Sequence, residues 1–385
     1  MEITHRADDC RGRRGLVTPN LPFPTSLIHT YRCAVPYVPP DVLPHMAEAP
    51  AFPLGLHLGD AVGVLPPQTS EGLAAFAGTE HPLVGLLTGP GSYVMEGKRS
   101  KKSVSVAGAE GRISLDVQTY VETLAATQLD LAELLADVPK PRAGSRRIQK
   151  AAANSLAMWD ALKSHPGKEI GQARGPLFLV RLLGGEDPEE ITKGLAPVAE
   201  MMGTEMLGGV VGGVILPDLR ALRGKGEVNA DALWETILDA LPDETVKLNA
   251  GAVTPAEILE AVRDGKGDLF YDTFPSQAAG GGYALVLSLE GGLRRSVNVR
   301  DVSFALEKGP LVPGCTCYAC QNHSRGYIHH LITVQEMLGI ELITLHNQSV
   351  FQTFLADIRT ALAAAGEGGQ PFADVVDAFL QASSP

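Results

Sequence analysis

From residue 176 onward the chain alternates short apolar runs with amphipathic stretches. Residues 176–183 (Pro-Leu-Phe-Leu-Val-Arg-Leu-Leu) read as a buried strand, closed by Gly184-Gly185. Asp187-Pro188-Glu189-Glu190 then opens a helical pattern, with acids in the first turn where the helix dipole favours them. Residues 208–216 give a second, glycine-rich strand, 230–241 a helix and 246–251 a third strand. Thr254-Pro255-Ala256-Glu257 is a helix start: Thr254 can cap, Pro255 suits the first helical position and Glu257 can reach back to complete a capping box. Gly265 and Gly267 end that helix, and 268–274 return as a strand. Strand and helix alternating at this spacing predict parallel βαβ units. Neither a dinucleotide fingerprint nor a Walker P-loop is present, which favours a barrel over a nucleotide-binding open sheet.

The first third reads differently. Residues 103–106 and 112–116, with glycines at 108 and 111, predict an antiparallel hairpin, and prolines crowd 36–53 into an irregular but ordered loop. Towards the end, 321–338 and 352–365 read as helices, and Gly366-Glu-Gly-Gly369 precedes a short final one. No long internal repeat is visible.

With 385 residues, 45% of them hydrophobic, the chain can bury a large core, and 42 glycines and 27 prolines predict many tight loops. No apolar run approaches the ~18 residues a spanning helix needs, so no transmembrane segment is expected. Residues 1–14 mix Arg6, Arg11, Arg13 and Arg14 with Glu2, Asp8 and Asp9, which excludes an obvious secretory signal and leaves an unusual organelle import signal open. A net charge of -12 disfavours nonspecific nucleic-acid binding over the whole surface, and no DNA role is expected. Two local basic clusters, Lys98-Arg99-Lys101-Lys102 and Arg142-Arg146-Arg147-Lys150, remain candidate phosphate contacts alongside the bland alternative of solvated faces.

Chemistry concentrates in one place. Three of the five cysteines fall in Cys315-Thr316-Cys317-Tyr318-Ala319-Cys320, and His346 follows 26 residues after Cys320. Three thiolates and one imidazole form the closed tetrahedral set of a structural zinc site, one ion per chain, with no open position for substrate. His323, His329 and His330 lie nearby but are surplus to that set and read as packing or surface histidines. Cys10 and Cys33 have no ligand spacing and read as free thiols. An odd cysteine count of this kind suits a reducing compartment.

The segment 315–330 (Cys-Thr-Cys-Tyr-Ala-Cys-Gln-Asn-His-Ser-Arg-Gly-Tyr-Ile-His-His), with Leu345-His346-Asn347, resembles the zinc module of tRNA-guanine transglycosylases. Gly251-Ala-Val-Thr-Pro255 and Gly267-Asp-Leu-Phe-Tyr-Asp-Thr-Phe-Pro275 resemble that family's late βα unit and nucleophile-bearing strand. The resemblance implies an α/β fold, an irregular (β/α)8 TIM-type barrel with an N-terminal antiparallel β segment and a C-terminal zinc-binding module. The implied division is 1–310 for the barrel, 311–350 for the zinc module and 351–385 for C-terminal helices. It also implies exchange of guanine at the tRNA wobble position, through an aspartate that attacks the ribose anomeric carbon.

The departures from the family pattern are informative. Tyr271 stands where catalytic members carry the nucleophilic aspartate, and a phenol with a pKa near 10 is a poor substitute. Asp272 and Asp268 have the wrong strand parity unless a bulge intervenes. The segment that supplies a second active-site aspartate in the enzymes is replaced by 102–108 (Lys-Ser-Val-Ser-Val-Ala-Gly), and the substrate loop is blurred into 208–213. The pattern is similar to the non-catalytic accessory branch of the family, in which no residue of the chain is catalytic. That branch implies a heterodimer with a homologous catalytic subunit, tRNA as the shared substrate, Arg325 and the basic clusters as candidate phosphate contacts, and a cytoplasmic location, with a peripheral place at an organelle (mitochondrial) surface left open. The competing expectations are an active transglycosylase using Asp272 through a bulged strand, and a zinc-stabilised interaction scaffold.

Overall fold

Short apolar runs with no polar alternation become strands only where both faces are covered, and here a closed barrel covers them. A computed structural model describes residues 1–46, 52–63, 72–88, 100–108, 111–140, 143–166, 175–185, 187–219 and 230–383. Its barrel strands, in chain order, are β1 (Thr25–His29), β2 (Leu54–His57), β3 (Leu83–Leu86), β4 (Leu131–Glu133), β5 (Leu177–Arg181), β6 (Gly209–Leu216), β7 (Val246–Asn249) and β8 (Leu269–Asp272). Each pairs in parallel with its sequence neighbour, and β8 pairs with β1, so the sheet closes. The glycine-rich run predicted as a strand is where β6 meets β5. A Cβ on Gly213 would lie 2.5 Å from Leu179 Cδ2, so only glycine admits this approach.

The predicted helix starts form as expected. The Asp187 carboxylate accepts from the N–H groups of Glu189 and Glu190 at 3.1 and 3.2 Å and caps helix Pro188–Met201. Thr254 and Glu257 complete the capping box of helix Pro255–Arg263, with bonds of 3.3 and 3.0 Å. The hairpin of Ser103–Gly108 with Gly111–Asp116 is present, and the proline-rich loop carries one short 3-10 turn, Leu43–His45, among its described residues.

Two differences stand out. Residues 321–338 do not make one helix. Ser324 caps a new helix, Arg325–Thr333, and Gln335 at φ 62 ends it in a left-handed turn. The next helix then runs without interruption from Met337 to Ala365, where only 352–365 was expected, because polar residues at its start are buried against the rest of the fold. This 29-residue helix packs on β1 and on the N-terminal strands and closes the β8–β1 side of the barrel.

The barrel floor is sealed by a three-stranded antiparallel sheet, Glu2–Arg6, Arg13–Thr18 and Leu21–Phe23. Its Val17, Leu21 and Phe23 join Leu27, Val84, Leu131, Leu179, Val246, Leu248 and Leu269 in the barrel interior. One polar anchor holds the floor in place. Arg13 donates to both oxygens of Asp268 at 2.8 and 2.7 Å and to the carbonyls of Thr245 and Asp243, with both side chains almost fully buried. Asp268 also accepts the Lys247 N–H at 2.8 Å. Removing one partner of such a pair typically costs about 3–5 kcal/mol. Asp268 is therefore a structural acid at the bottom of the barrel.

Lys247 is the strained member of this network. Burial pulls its ammonium down to about 8 from 10.5, despite the Asp268 carboxylate 4.0 Å away. A depressed folded value for a base opposes folding fully below about 8, and the opposition fades as pH rises to 10.5. Lys247→Met should accordingly raise stability at pH 7 by roughly 1–3 kcal/mol, with the gain shrinking towards pH 10. Chemical denaturation at the two pH values checks this, and a gain that grows with pH would contradict it.

Candidate metal centre and barrel mouth

Cys315, Cys317, Cys320 and His346 converge as the spacing predicts. Their four ligand atoms lie within 4.8 Å of one another and could hold a metal ion. The three sulfurs stand 3.5, 3.4 and 3.5 Å from His346 Nδ1. Tetrahedral bonds of about 2.3 Å to sulfur and 2.0–2.1 Å to nitrogen would place these edges at about 3.6 Å, so the three sulfur–nitrogen edges suit a tetrahedral zinc. Cys317 also caps the short helix Tyr318–Asn322, which turns Cys320 back towards the cluster. Crowded sulfurs resist ionising together: the neighbouring sulfurs of Cys315 and Cys320, and then burial, push the Cys317 thiol up. Burial disfavours the His346 imidazolium, but the sulfurs of Cys315 and Cys320 outweigh it and raise the ring to about 9. A divalent cation held by these four residues would take the place of these protons.

The outer contacts orient the ligand. His346 Nε2–H donates to the Leu285 carbonyl at 2.9 Å, so in the neutral ring it is Nδ1 that is unprotonated and aimed at the cluster. The adjacent Asn347, fully buried, accepts the Leu285 N–H at 2.8 Å and donates to the carbonyls of Pro275 and Tyr283 at 3.1 and 2.9 Å. Pro275 belongs to helix Phe274–Gly280, which leaves β8 directly, and Leu285 to the hairpin of Tyr283–Ser288 with Gly292–Asn298. His346 is thus one residue from the clamp on the barrel's C-terminal edge.

Other predicted residues fall outside the cluster. His329 Nδ1–H donates to the Val299 carbonyl at 2.8 Å, and His323 stacks on Tyr327 with centroids 5.5 Å apart. Cys10 and Cys33 are free, and burial pushes the Cys33 thiol up to about 12. Arg325 turns inward, donating to the Leu311 carbonyl and to Glu307 and lying 4.7 Å over Phe304. Arg147 is tied to Asp137 by bonds of 2.5 and 3.1 Å. Lys101, Lys102, Arg146 and Lys150 are exposed, whereas Lys98, Arg99 and Arg142 lie outside the described residues.

At the C-terminal mouth of the barrel, Tyr271 is 1% exposed. Its hydroxyl donates to the Gly55 carbonyl at 3.2 Å and lies 2.8 Å from His29 Nδ1, which donates in turn. Burial raises the phenol well above its ordinary range. Burial likewise lowers His29 and His57, so both imidazoles are held neutral. A Cβ on Gly55 would stand 2.6 Å from Tyr271 Cε2, so the ring fills space that only glycine leaves open. At the C-terminal ends of β4 and β5, the fully buried Glu133 accepts from Arg181 Nε and from the Leu87 N–H, both at 2.7 Å, and Arg181 reaches Thr88 at 2.9 Å. Neither His29 nor this pair was singled out from sequence. Glu133 and Arg181 did carry a signal, each being a lone charge inside an apolar strand. Strand β8 pairs with β1 in unbroken register from Leu269 to Asp272, so no bulge brings position 272 onto the face of Tyr271.

A family model described as "Queuine tRNA-ribosyltransferase" matches residues 9–383. The chain belongs to that family. It is similar to proteins named queuine tRNA-ribosyltransferase accessory subunit 2. The relative from Danio rerio is 28% identical over 383 residues, covering 89% of each chain. That from Ixodes scapularis is 29% identical over 379 residues, covering 91% of this chain and 92% of its own. The Homo sapiens relative is 28% identical over 333 residues, covering 76% and 77%. Among the described residues no helix is long and apolar enough to cross a membrane.

Loss of a metal bound at this cluster should loosen the outer clamp first. Chelation or His346→Ala is expected to lower stability by at least about 3 kcal/mol, and to raise hydrogen exchange in helices Phe274–Gly280 and Tyr318–Asn322 before the barrel strands. Exchange that rises first in β4 and β5 would contradict this coupling.

Proposed function

We propose that this chain is the non-catalytic accessory subunit of a heterodimeric queuine tRNA-ribosyltransferase, which exchanges guanine for queuine at the tRNA wobble position. The observation that carries the reading is Tyr271. The family resemblance assigns its position to the nucleophile, yet its hydroxyl is committed to His29 and Gly55 in a site that keeps the phenol protonated. Attack on an anomeric carbon needs an ionised, accessible oxygen, and this one is neither. The His29 imidazole beside it is held neutral by burial and offers Tyr271 no strong base.

In this reading the four-ligand cluster binds one structural zinc, which neutralises the thiolates and folds the module that faces the catalytic partner. The surface there suits a partner. His45, Tyr318, His323 and Tyr327 form a chain of ring contacts. Around helix Arg325–Thr333, Leu306 is 92% and Met337 85% exposed, apolar area that a monomer gains nothing by showing to water. Exposed Lys101, Lys102, Arg146 and Lys150 are the phosphate-contact candidates for tRNA. The relatives named as accessory subunits support the same assignment.

Co-expression with a catalytic homologue tests the assembly. The native mass of the purified complex should equal one copy of each chain, and Cys317→Ala should reduce heterodimer recovery at least about tenfold by removing the metal-held module. A chain that purifies only alone, or only with itself, would refute the reading.

A further inference from the structure

The loop that leaves β1 at the barrel mouth is built in an unusual way. Tyr31 and Ala34 exchange both backbone hydrogen bonds, at 2.8 and 3.1 Å, and close a two-residue turn. The two turn residues, Arg32 and Cys33, have φ of 51 and 62, the left-handed conformation such a turn demands and for which glycine or asparagine is the ordinary solution. The Asp60 carboxylate accepts the Arg32 N–H at 3.2 Å and helps hold this conformation. Tyr37, six residues after Tyr31, is also left-handed at φ 65. Strain of this kind persists where the surrounding structure fixes it, and it often marks a working surface.

What the turn presents is specific. Tyr31 is 61% exposed, with the Arg32 guanidinium 5.5 Å from its ring centroid. Tyr37 is 53% exposed, and a Cβ on Gly280 would lie 3.6 Å from its hydroxyl. On the far side of the Gly280–Gly282 turn, Tyr283 is 44% exposed and Arg300 donates to the Gly281 carbonyl. Exposed tyrosines and guanidiniums therefore stand on this loop and around the Gly280–Gly282 turn it touches, in a chain with only 5% aromatic residues. Position adds to this: the turn starts two residues past His29, whose ring touches Tyr271 in the mouth.

We propose that Tyr31, Arg32 and Tyr37 form a stacking platform for unpaired bases of single-stranded RNA at the C-terminal mouth of the barrel. Splayed bases stack on tyrosine rings and guanidinium planes whatever their sequence, and the arginines meet the phosphates between them. The choice of RNA as occupant rests on the accessory-subunit reading. The platform itself places this chain's own mouth in contact with RNA although it performs no exchange, so the mouth keeps a substrate-holding role after losing the nucleophile.

The test uses the full chain in complex with its catalytic partner and a fluorescein-labelled 17-nucleotide anticodon stem-loop RNA. Tyr31→Ala should weaken binding roughly tenfold or more, and Tyr31→Phe should not, because the ring alone stacks. Arg32→Ala should weaken binding and reduce the salt slope by about one. Tyr31 and Arg32 are exposed, and unchanged melting midpoints will confirm that the variants fold. If the wild-type pair binds RNA and exchanges guanine while Tyr31→Ala binds equally well, the platform is overturned and the accessory role stands. If the pair neither binds RNA nor exchanges guanine, both fall.

Discussion

The hydrogen bond from His346 Nε2–H to the Leu285 carbonyl, 2.9 Å long, joins two parts of the molecule that the chain separates by 61 residues. On one side it fixes which imidazole nitrogen faces the three sulfurs. On the other it ties the long helix Met337–Ala365 to the hairpin that follows β8. Asn347 repeats the link one residue later with three further bonds. The same helix lies over β1 and the N-terminal sheet, so it serves as the last outer layer of the barrel. A metal at the cluster would hold that layer in place by an outer contact, without entering any chemistry.

The mouth of the barrel is shaped by a different constraint. Enlarging an interior position from aspartate, the residue the family resemblance assigns there, to tyrosine requires room, and Gly55 on β2 provides it directly against the ring. The phenol then satisfies a backbone carbonyl and a neutral histidine, and no buried polar atom in that contact is left without a partner. At the ends of β4 and β5, Glu133 and Arg181 are paired, which keeps a buried carboxylate from standing alone. The interior is thus well satisfied as a packed core. Its polar groups are paired with one another, unlike an open pocket that waits for substrate.

Much of this was legible in the sequence, for identifiable reasons. β5 to β8 carried apolar runs bounded by glycines and strong helix caps, so they could be read directly. β1 to β4 are three to five residues long, buried on both faces and lacking any period, so nothing local separates them from buried loop. The cysteine spacing exposed the metal ligands because thiolate geometry allows few arrangements. Asn347, His29 and Gly55 went unread because their roles depend on neighbours 60 or more residues away, or on another strand's side chain. The helix break at Gln335 was missed for a local reason: a left-handed glutamine is not a usual stop signal.

The central claim is that a satisfied tyrosine, in the place of a nucleophile, leaves this chain unable to exchange a base by itself. The direct measurement is incorporation of radiolabelled guanine into tRNA by the purified, zinc-loaded chain without a partner. The account predicts no incorporation above the no-enzyme control at any enzyme concentration. Incorporation that scales with this chain, and is lost in Asp272→Asn, would contradict it.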